Sequence, residues 1–240
     1  MRRTGRRTGK PQAARDGQLT SRPTRPRAGG PAGLHPVGIG RARDGLLYVP
    51  ATYEPARPAP LIVLLHGAGA DAEDVIPVLR SEADAGGYLL LVPDSRGPTW
   101  DVVRGTYGPD VTFVDRALAH TFARYAVDPN RIAVGGFSDG ASYALSLGIT
   151  NGDLFTHVMA FSPGFMVPAA QRGTPRVFIS HGTGDRVLPV EVCSRRIVPQ
   201  LRRAGYEVRY DEFDGGHAVP PSVARDAIAW FEAPPGEGVT

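Results

Sequence analysis

An α/β fold with a mostly parallel central sheet is predicted by three features of this 240-residue chain. Short apolar runs alternate with helically patterned stretches, one run is apolar at every position, and several runs end in glycine-bearing loops. Residues 45–50, Gly-Leu-Leu-Tyr-Val-Pro, read as a first strand, and the proline-rich stretch 55–60 as its connection. Residues 61–65, Leu-Ile-Val-Leu-Leu, are a strand buried on both faces, which places them inside a parallel sheet. A further apolar run spans 88–92.

The helix over 111–126 puts Val114, Leu118, Phe122 and Tyr125 on one stripe at spacings of three and four, the pattern for packing on a sheet. Asp128-Pro129-Asn130 marks its end, and 131–134 is the next strand. Gly140, Ala141 and Ala144 open another helix, small enough to approach the sheet closely. Strands follow near 157–161, 176–180 and 207–213; Pro199 is expected to kink or split the helix over 190–204. No insertion long enough for a helical lid lies between the strands near 161 and 176, so an open site is expected.

Gly136-Phe137-Ser138-Asp139-Gly140 stands between a strand and a helix, where a sharp turn holds a nucleophilic serine toward substrate. The pattern is weak alone and needs partners. Asp185 follows the strand 176–180 and His217 follows 207–213, and in a parallel sheet such loop positions gather on one edge. A serine hydroxyl is a poor nucleophile at neutral pH; His217 would take its proton, and Asp185 would fix the imidazole tautomer. Asp211 and Asp214 are the other candidate acids. Taken singly, Ser138 reads equally as a turn residue, Asp185 as a helix cap and His217 as a loop histidine.

After the apolar run 61–65 comes His66-Gly67-Ala68-Gly69, a loop able to present backbone N–H groups to an oxyanion. The donors read from position are the amides of Ala68 and Asp139, with His66 bracing the loop. The same loop satisfies G-x-G-x-x-A, with Asp94 ending the next strand, as in a dinucleotide-binding domain. That rival leaves Ser138, Asp185 and His217 without roles. Trp100, Tyr107 and Phe165 lie on loops beyond strand ends and are candidate lining for an apolar or aromatic pocket, Trp100 foremost.

With these residues assembled, the chain from about 45 to 231 resembles the α/β-hydrolase superfamily, within it the small phospholipase/carboxylesterase-like serine esterases. Some likeness extends to feruloyl-esterase and polyhydroxybutyrate-depolymerase relatives. The echoes are LLHGAGAD at 64–71, RIAVGGFSDGASYAL at 131–145, HGTGDRVLPV at 181–190 and FDGGHAVP at 213–220. The resemblance implies a single-domain α/β-hydrolase fold without a large lid. It further implies hydrolysis of carboxylic esters through an acyl-serine, with no metal or organic cofactor, and puts the functional positions on Ser138, Asp185, His217, Ala68 and Asp139. Short to medium acyl or aromatic esters are the expected substrates; the alternatives are an acyl thioesterase or lysophospholipase, or a polyester depolymerase, with the same triad. Where many members carry Gln after the nucleophile, this chain has Asp139, which puts a negative charge beside the oxyanion site.

Charge is unevenly placed: residues 1–27 carry a net of +8 and the remainder −5, giving +3 overall. Residues 1–33, rich in Arg, Pro, Gly and Thr, are therefore expected to be a disordered basic arm preceding a catalytic domain over 34–240. A non-catalytic binding protein using that arm is the reading from a different class. The arm has no aromatic residue for stacking, so nucleic acid is not an expected partner. Arg2-Arg3 and Arg6-Arg7 are followed by no apolar run of a signal peptide, and a cytoplasmic location is expected. No stretch approaches the roughly 18 apolar residues of a membrane span, and no zinc-type cluster appears. The single cysteine, Cys193, shares an apolar face with Ile197 and Leu201 and reads as core. The partner is a small-molecule ester, the assembly a monomer or homodimer.

Overall fold

A computed structural model describes residues 9–26 and 29–234. Eight strands among them form one sheet: β1 (Gly33–Pro36), β2 (Gly45–Val49), β3 (Ala59–Leu65), β4 (Leu89–Pro93), β5 (Val127–Phe137), β6 (His157–Phe161), β7 (Arg176–Gly182) and β8 (Val208–Phe213). Their order is β1-β2-β4-β3-β5-β6-β7-β8. The β1–β2 and β2–β4 pairs are antiparallel, and every other pair is parallel.

All seven residues of β3 are buried because helices cover both sheet faces. Leu61, Val63 and Leu65 pack with Val114, Leu118 and Phe122 of α4 (Pro109–Arg124), with α5 (Asp139–Thr150) and with α6 (Ser194–Arg203). Ile62 and Leu64 point the other way, toward α2 (Ala72–Val75), α3 (Pro77–Gly86) and α7 (Pro221–Glu232). The alternation along one strand thus sorts its side chains between two cores.

Two elements differ in detail from the sequence reading. The strand expected at 131–134 is the end of a longer one; opposite β3, Val127 pairs with Ala59 and Ile132 with Leu61, so 128–131 bulge outward and Pro129 needs no ladder partner. Helix α6 begins only at Ser194 and runs through the exposed Pro199 to Arg203.

The expected disordered arm is corrected over much of its length. A short helix, α1 (Gly9–Arg15), leads into a segment docked on α4 and on the end of α5. Leu19 is 3% exposed, its N–H donates to Asn151 Oδ1 at 2.8 Å, and Asn151 Nδ2 donates to the Gly17 carbonyl at 2.8 Å. The Thr20 and Ser21 amides donate to the Asp115 carboxylate at 2.7 and 2.8 Å, and Arg22 pairs with Asp153. Composition misled because two buried apolar side chains, Ala14 and Leu19, and clamps from Asn151, Asp115 and Asp153 suffice to order the segment. Residues 1–8 and 27–28 of the arm lie outside the described residues.

Between β6 and β7, residues 162–175 form no helix. Instead the start of this segment is fastened along α5. Ser142, Ser146 and Thr150, one turn apart, each donate a hydroxyl to the carbonyl four residues back. The same three oxygens accept the amides of Gly164, Val167 and Ala169 at 2.9, 2.9 and 3.1 Å. Tyr107 adds a hydroxyl bond to the Val167 carbonyl at 2.8 Å.

Candidate active site

Ser138 occupies the turn between β5 and α5 with φ 59° and ψ −121°, a conformation few non-glycine residues adopt. Its amide donates to the Phe161 carbonyl at 2.9 Å, and its carbonyl accepts from Ala141 and Ser142, which holds the strained residue in place. The flanking glycines have steric causes. A Cβ on Gly140 would meet the Leu65 carbonyl oxygen at 2.1 Å, and one on Gly136 would meet the Gly140 carbonyl oxygen at 2.4 Å.

Asp185 lies just past β7 and His217 just past β8, and the sheet brings both to Ser138. His217 Nε2 stands 2.8 Å from Ser138 Oγ, and His217 Nδ1 stands 2.6 Å from Asp185 Oδ2. The Phe137 ring flanks the imidazole at 4.7 Å between centroids. Asp185 Oδ1 accepts the Val187 and Leu188 amides at 2.8 and 2.9 Å. Burial pushes this carboxyl's pKa up, but the Leu188 amide, His217 and the Val187 amide outweigh it, and the net shift is downward. The other candidate acids stand elsewhere: Asp211 is bonded to Arg209, and Asp214 is exposed.

The glycine loop passes close to the serine, a Cβ placed on Gly67 coming 3.5 Å from Ser138 Cβ. Among the described residues, the amides of Ala68 and Asp139 take no intramolecular partner. The loop is braced from behind. His66, fully buried, donates Nδ1–H to the Gly67 carbonyl at 2.7 Å and accepts the Ser95 amide on Nε2 at 3.0 Å. Burial lowers its pKa and keeps it neutral in that role. The Gly69 amide donates to the Pro98 carbonyl at 2.7 Å, and Arg43 reaches the Ala70 carbonyl at 2.9 Å. Asp94 accepts the amides of Ala72 and Asp44, so its carboxylate is already engaged within the fold.

Trp100 is not where the sequence reading put it. It is fully buried, donates Nε1–H to the His66 carbonyl at 2.8 Å, and stacks on Tyr143 at 4.9 Å. A loop tryptophan near a site can line a pocket or brace its wall; the indole N–H found a carbonyl, and the ring a stacking partner, behind the wall. Tyr107 and Phe165 are likewise packed against the core. The cavity beside Ser138 and His217, about 480 Å³, is lined instead by Ala68, Ala70, Val75, Val78, Phe137, Val187, Ala218 and Val219, with Asp74 its one carboxylate besides the polar pair. Val75 and Val78 were missed because they look like ordinary helix-core residues. Val187 and Val219 stand two positions after Asp185 and His217, a signal available in the sequence.

A family model described as phospholipase/carboxylesterase matches residues 112–232, half of the chain, including Ser138, Asp185 and His217. The chain belongs to this family. As a member, it has the α/β-hydrolase fold and is an enzyme of the carboxylesterase class. It is similar to a probable feruloyl esterase C of Aspergillus niger (strain ATCC MYA-4892 / CBS 513.88 / FGSC A1513), 25% identical over 82% of this chain and 83% of the relative. It is 28% identical to feruloyl esterase C of Emericella nidulans (strain FGSC A4 / ATCC 38163 / CBS 112.46 / NRRL 194 / M139) over 62% of this chain, spanning 57% of that protein. Among solved structures, esterase PE8 superposes with a TM-score of 0.62 at 25% identity, covering 77% of this chain and 97% of that one. No helix among the described residues of this family member is long and apolar enough to cross a membrane.

Proposed function

We propose that the protein hydrolyses carboxylic esters through an acyl-serine intermediate, with Ser138 as nucleophile, His217 as general base and acid, and Asp185 as the residue that orients His217. The observation that carries this reading is the unbroken pair of contacts, Ser138 Oγ to His217 Nε2 at 2.8 Å and His217 Nδ1 to Asp185 Oδ2 at 2.6 Å, opening on an apolar cavity. Ser138 Oγ adds to the ester carbonyl carbon while His217 takes its proton. The carbonyl oxygen becomes an oxyanion held by the Ala68 and Asp139 amides. Collapse breaks the bond to the alcohol oxygen, which leaves with the proton from His217; water, deprotonated in turn by His217, then releases the acid. The lining favours uncharged acyl groups of short to medium length or aromatic character, in keeping with the feruloyl esterases the chain is similar to.

The test is hydrolysis of p-nitrophenyl esters from acetate to palmitate and of methyl ferulate, followed by labelling with a serine-directed phosphonate and mass analysis. A single adduct on Ser138 is expected. Ser138→Ala and His217→Ala should each lower kcat by on the order of 10⁴–10⁶-fold, and the double variant should lose no more than either. Turnover surviving in Ser138→Ala, or losses that multiply, would overturn the assignment.

A further inference from the structure

His181 closes β7 and is fully buried. Its Nε2 faces two oxygens, the Leu188 carbonyl at 2.7 Å and Asp185 Oδ2 at 3.2 Å. Its Nδ1 lies 2.7 Å from the Ser194 hydroxyl, at the start of α6. For a neutral ring, Nε2–H donates to the Leu188 carbonyl while standing 3.2 Å from Asp185 Oδ2, and Nδ1 receives the Ser194 proton. With the opposite tautomer, the Nε2 lone pair would point at two oxygens and none of the three atoms would supply a hydrogen.

Asp185 therefore sits between two imidazoles. The backbone amides of Val187 and Leu188 occupy Oδ1, while Oδ2 is bonded to His217 at 2.6 Å and faces His181 Nε2 at 3.2 Å. The carboxylate's side chain is fully buried, so no water competes for these positions. Building on the acyl-serine reading, we infer that His181 is a positioning residue for the reaction: through the Leu188 carbonyl it holds the turn whose amides bind Asp185, it stands beside Oδ2, and it thereby aims the carboxylate at His217, with Ser194 fixing the tautomer that allows it. The remaining titratable neighbours are the Cys193 thiol beside Asp185 and, across the β7–β8 register, Glu212 opposite His181, which is held by Arg195 and Tyr210.

The direction of its effect follows from electrostatics. A carboxylate that loses a neighbouring N–H dipole is more basic and holds the imidazolium of His217 more tightly. Removing the His181 N–H should then move the acid limb of kcat/KM to higher pH and slow the steps in which His217 gives up its proton.

The experiment compares wild type with His181→Phe, His181→Gln and Ser194→Ala, all normalised to the fraction of serine titrated by the phosphonate. In His181→Phe, kcat should fall on the order of tenfold with KM little changed, and the acid limb should shift upward. His181→Gln restores an N–H at about the Nε2 position and should recover most of both. If His181→Phe keeps the wild-type kcat and acid limb, or if Gln and Phe are equally impaired, the residue only fills space and the inference falls. Should His181→Phe not fold, Ser194→Ala decides: an acid limb shifted upward supports the inference, and an unmoved limb overturns it. Failure of the acyl-serine reading looks different, since wild type itself would then show no titratable serine.

Discussion

Thr99 donates its hydroxyl to the Asp139 carboxylate at 2.6 Å, so the residue following Ser138 is tied to the loop that also buttresses the Gly67–Gly69 turn through Pro98. The charge that distinguishes this chain at position 139 is thus held in a fixed place. Hydrogen bonds to ionised groups contribute about 1.5–3 kcal/mol, less where solvent reaches them, as at half-buried Asp139. Thr99→Val should lower kcat/KM for p-nitrophenyl butyrate by roughly three- to tenfold. Asp139→Asn keeps an acceptor for Thr99 and removes the charge. It should raise the rate with a hemisuccinate ester relative to the butyrate ester, and an unchanged ratio would show that the carboxylate does not act on the acyl group.

Trp100→Phe removes the indole donor to the His66 carbonyl while leaving an aromatic ring against Tyr143. A buried carbonyl left without its partner costs about 1–3 kcal/mol. A fall in Tm of roughly 3–8 °C is expected, with substrate ranking across acyl lengths preserved, because the side chain braces the wall and does not line the cavity. A changed acyl-length preference would return Trp100 to the pocket.

Leu19 gives the docked N-terminal segment its one deeply buried large side chain. Leu19→Ala should cost about 2–4 kcal/mol and lower Tm by roughly 5–10 °C. At 25 °C kcat should stay close to wild type. Unaltered melting would mean that the segment contributes no stability in solution.

Asp110 accepts the amides of Arg96 and Asp101, and Asp101 accepts those of Gly108 and Asp110, so two carboxylates, one buried and one half-buried, hold the turn that carries Trp100. Burial pushes the Asp110 pKa up to about 6, above the unfolded value near 3.8. The folded state therefore binds more protons between these limits. The stability this proton contributes is full below about pH 4 and is lost as pH rises through about 6. Differential scanning from pH 4 to 7 should show Asp110→Asn with a flatter dependence of Tm on pH across that window; identical slopes would exclude this carboxyl as their source.

What was legible in the sequence is what backbone geometry forces into it. Glycine at 136 and 140 is demanded by carbonyl oxygens closer than any Cβ can approach, so the turn around Ser138 leaves a mark in residue identity. Asp185 and His217 could be paired with it because both follow strands, and a parallel sheet delivers strand ends to one edge. The cavity wall was not legible to the same degree. Val75 and Val78 obey the same helical spacing as residues facing the core, and nothing in their identity says that a cavity lies alongside. Trp100 failed for the converse reason: its size and loop position suit a wall or the brace behind it, and only the carbonyl of His66 decides between them. The N-terminal segment hid its order in partners more than ninety residues away, Asp115 and Asn151, which no local window contains.

The hydroxyls of Ser142, Ser146 and Thr150 hang the segment after β6 on the very helix that begins next to Ser138. That segment is consequently a fixture, not a door. The cavity beside Ser138 and His217 is lined by other parts of the chain, so its opening does not depend on a swing of this segment. An oil–water boundary, which awakens hydrolases that must peel back a cover, has nothing in this segment to awaken.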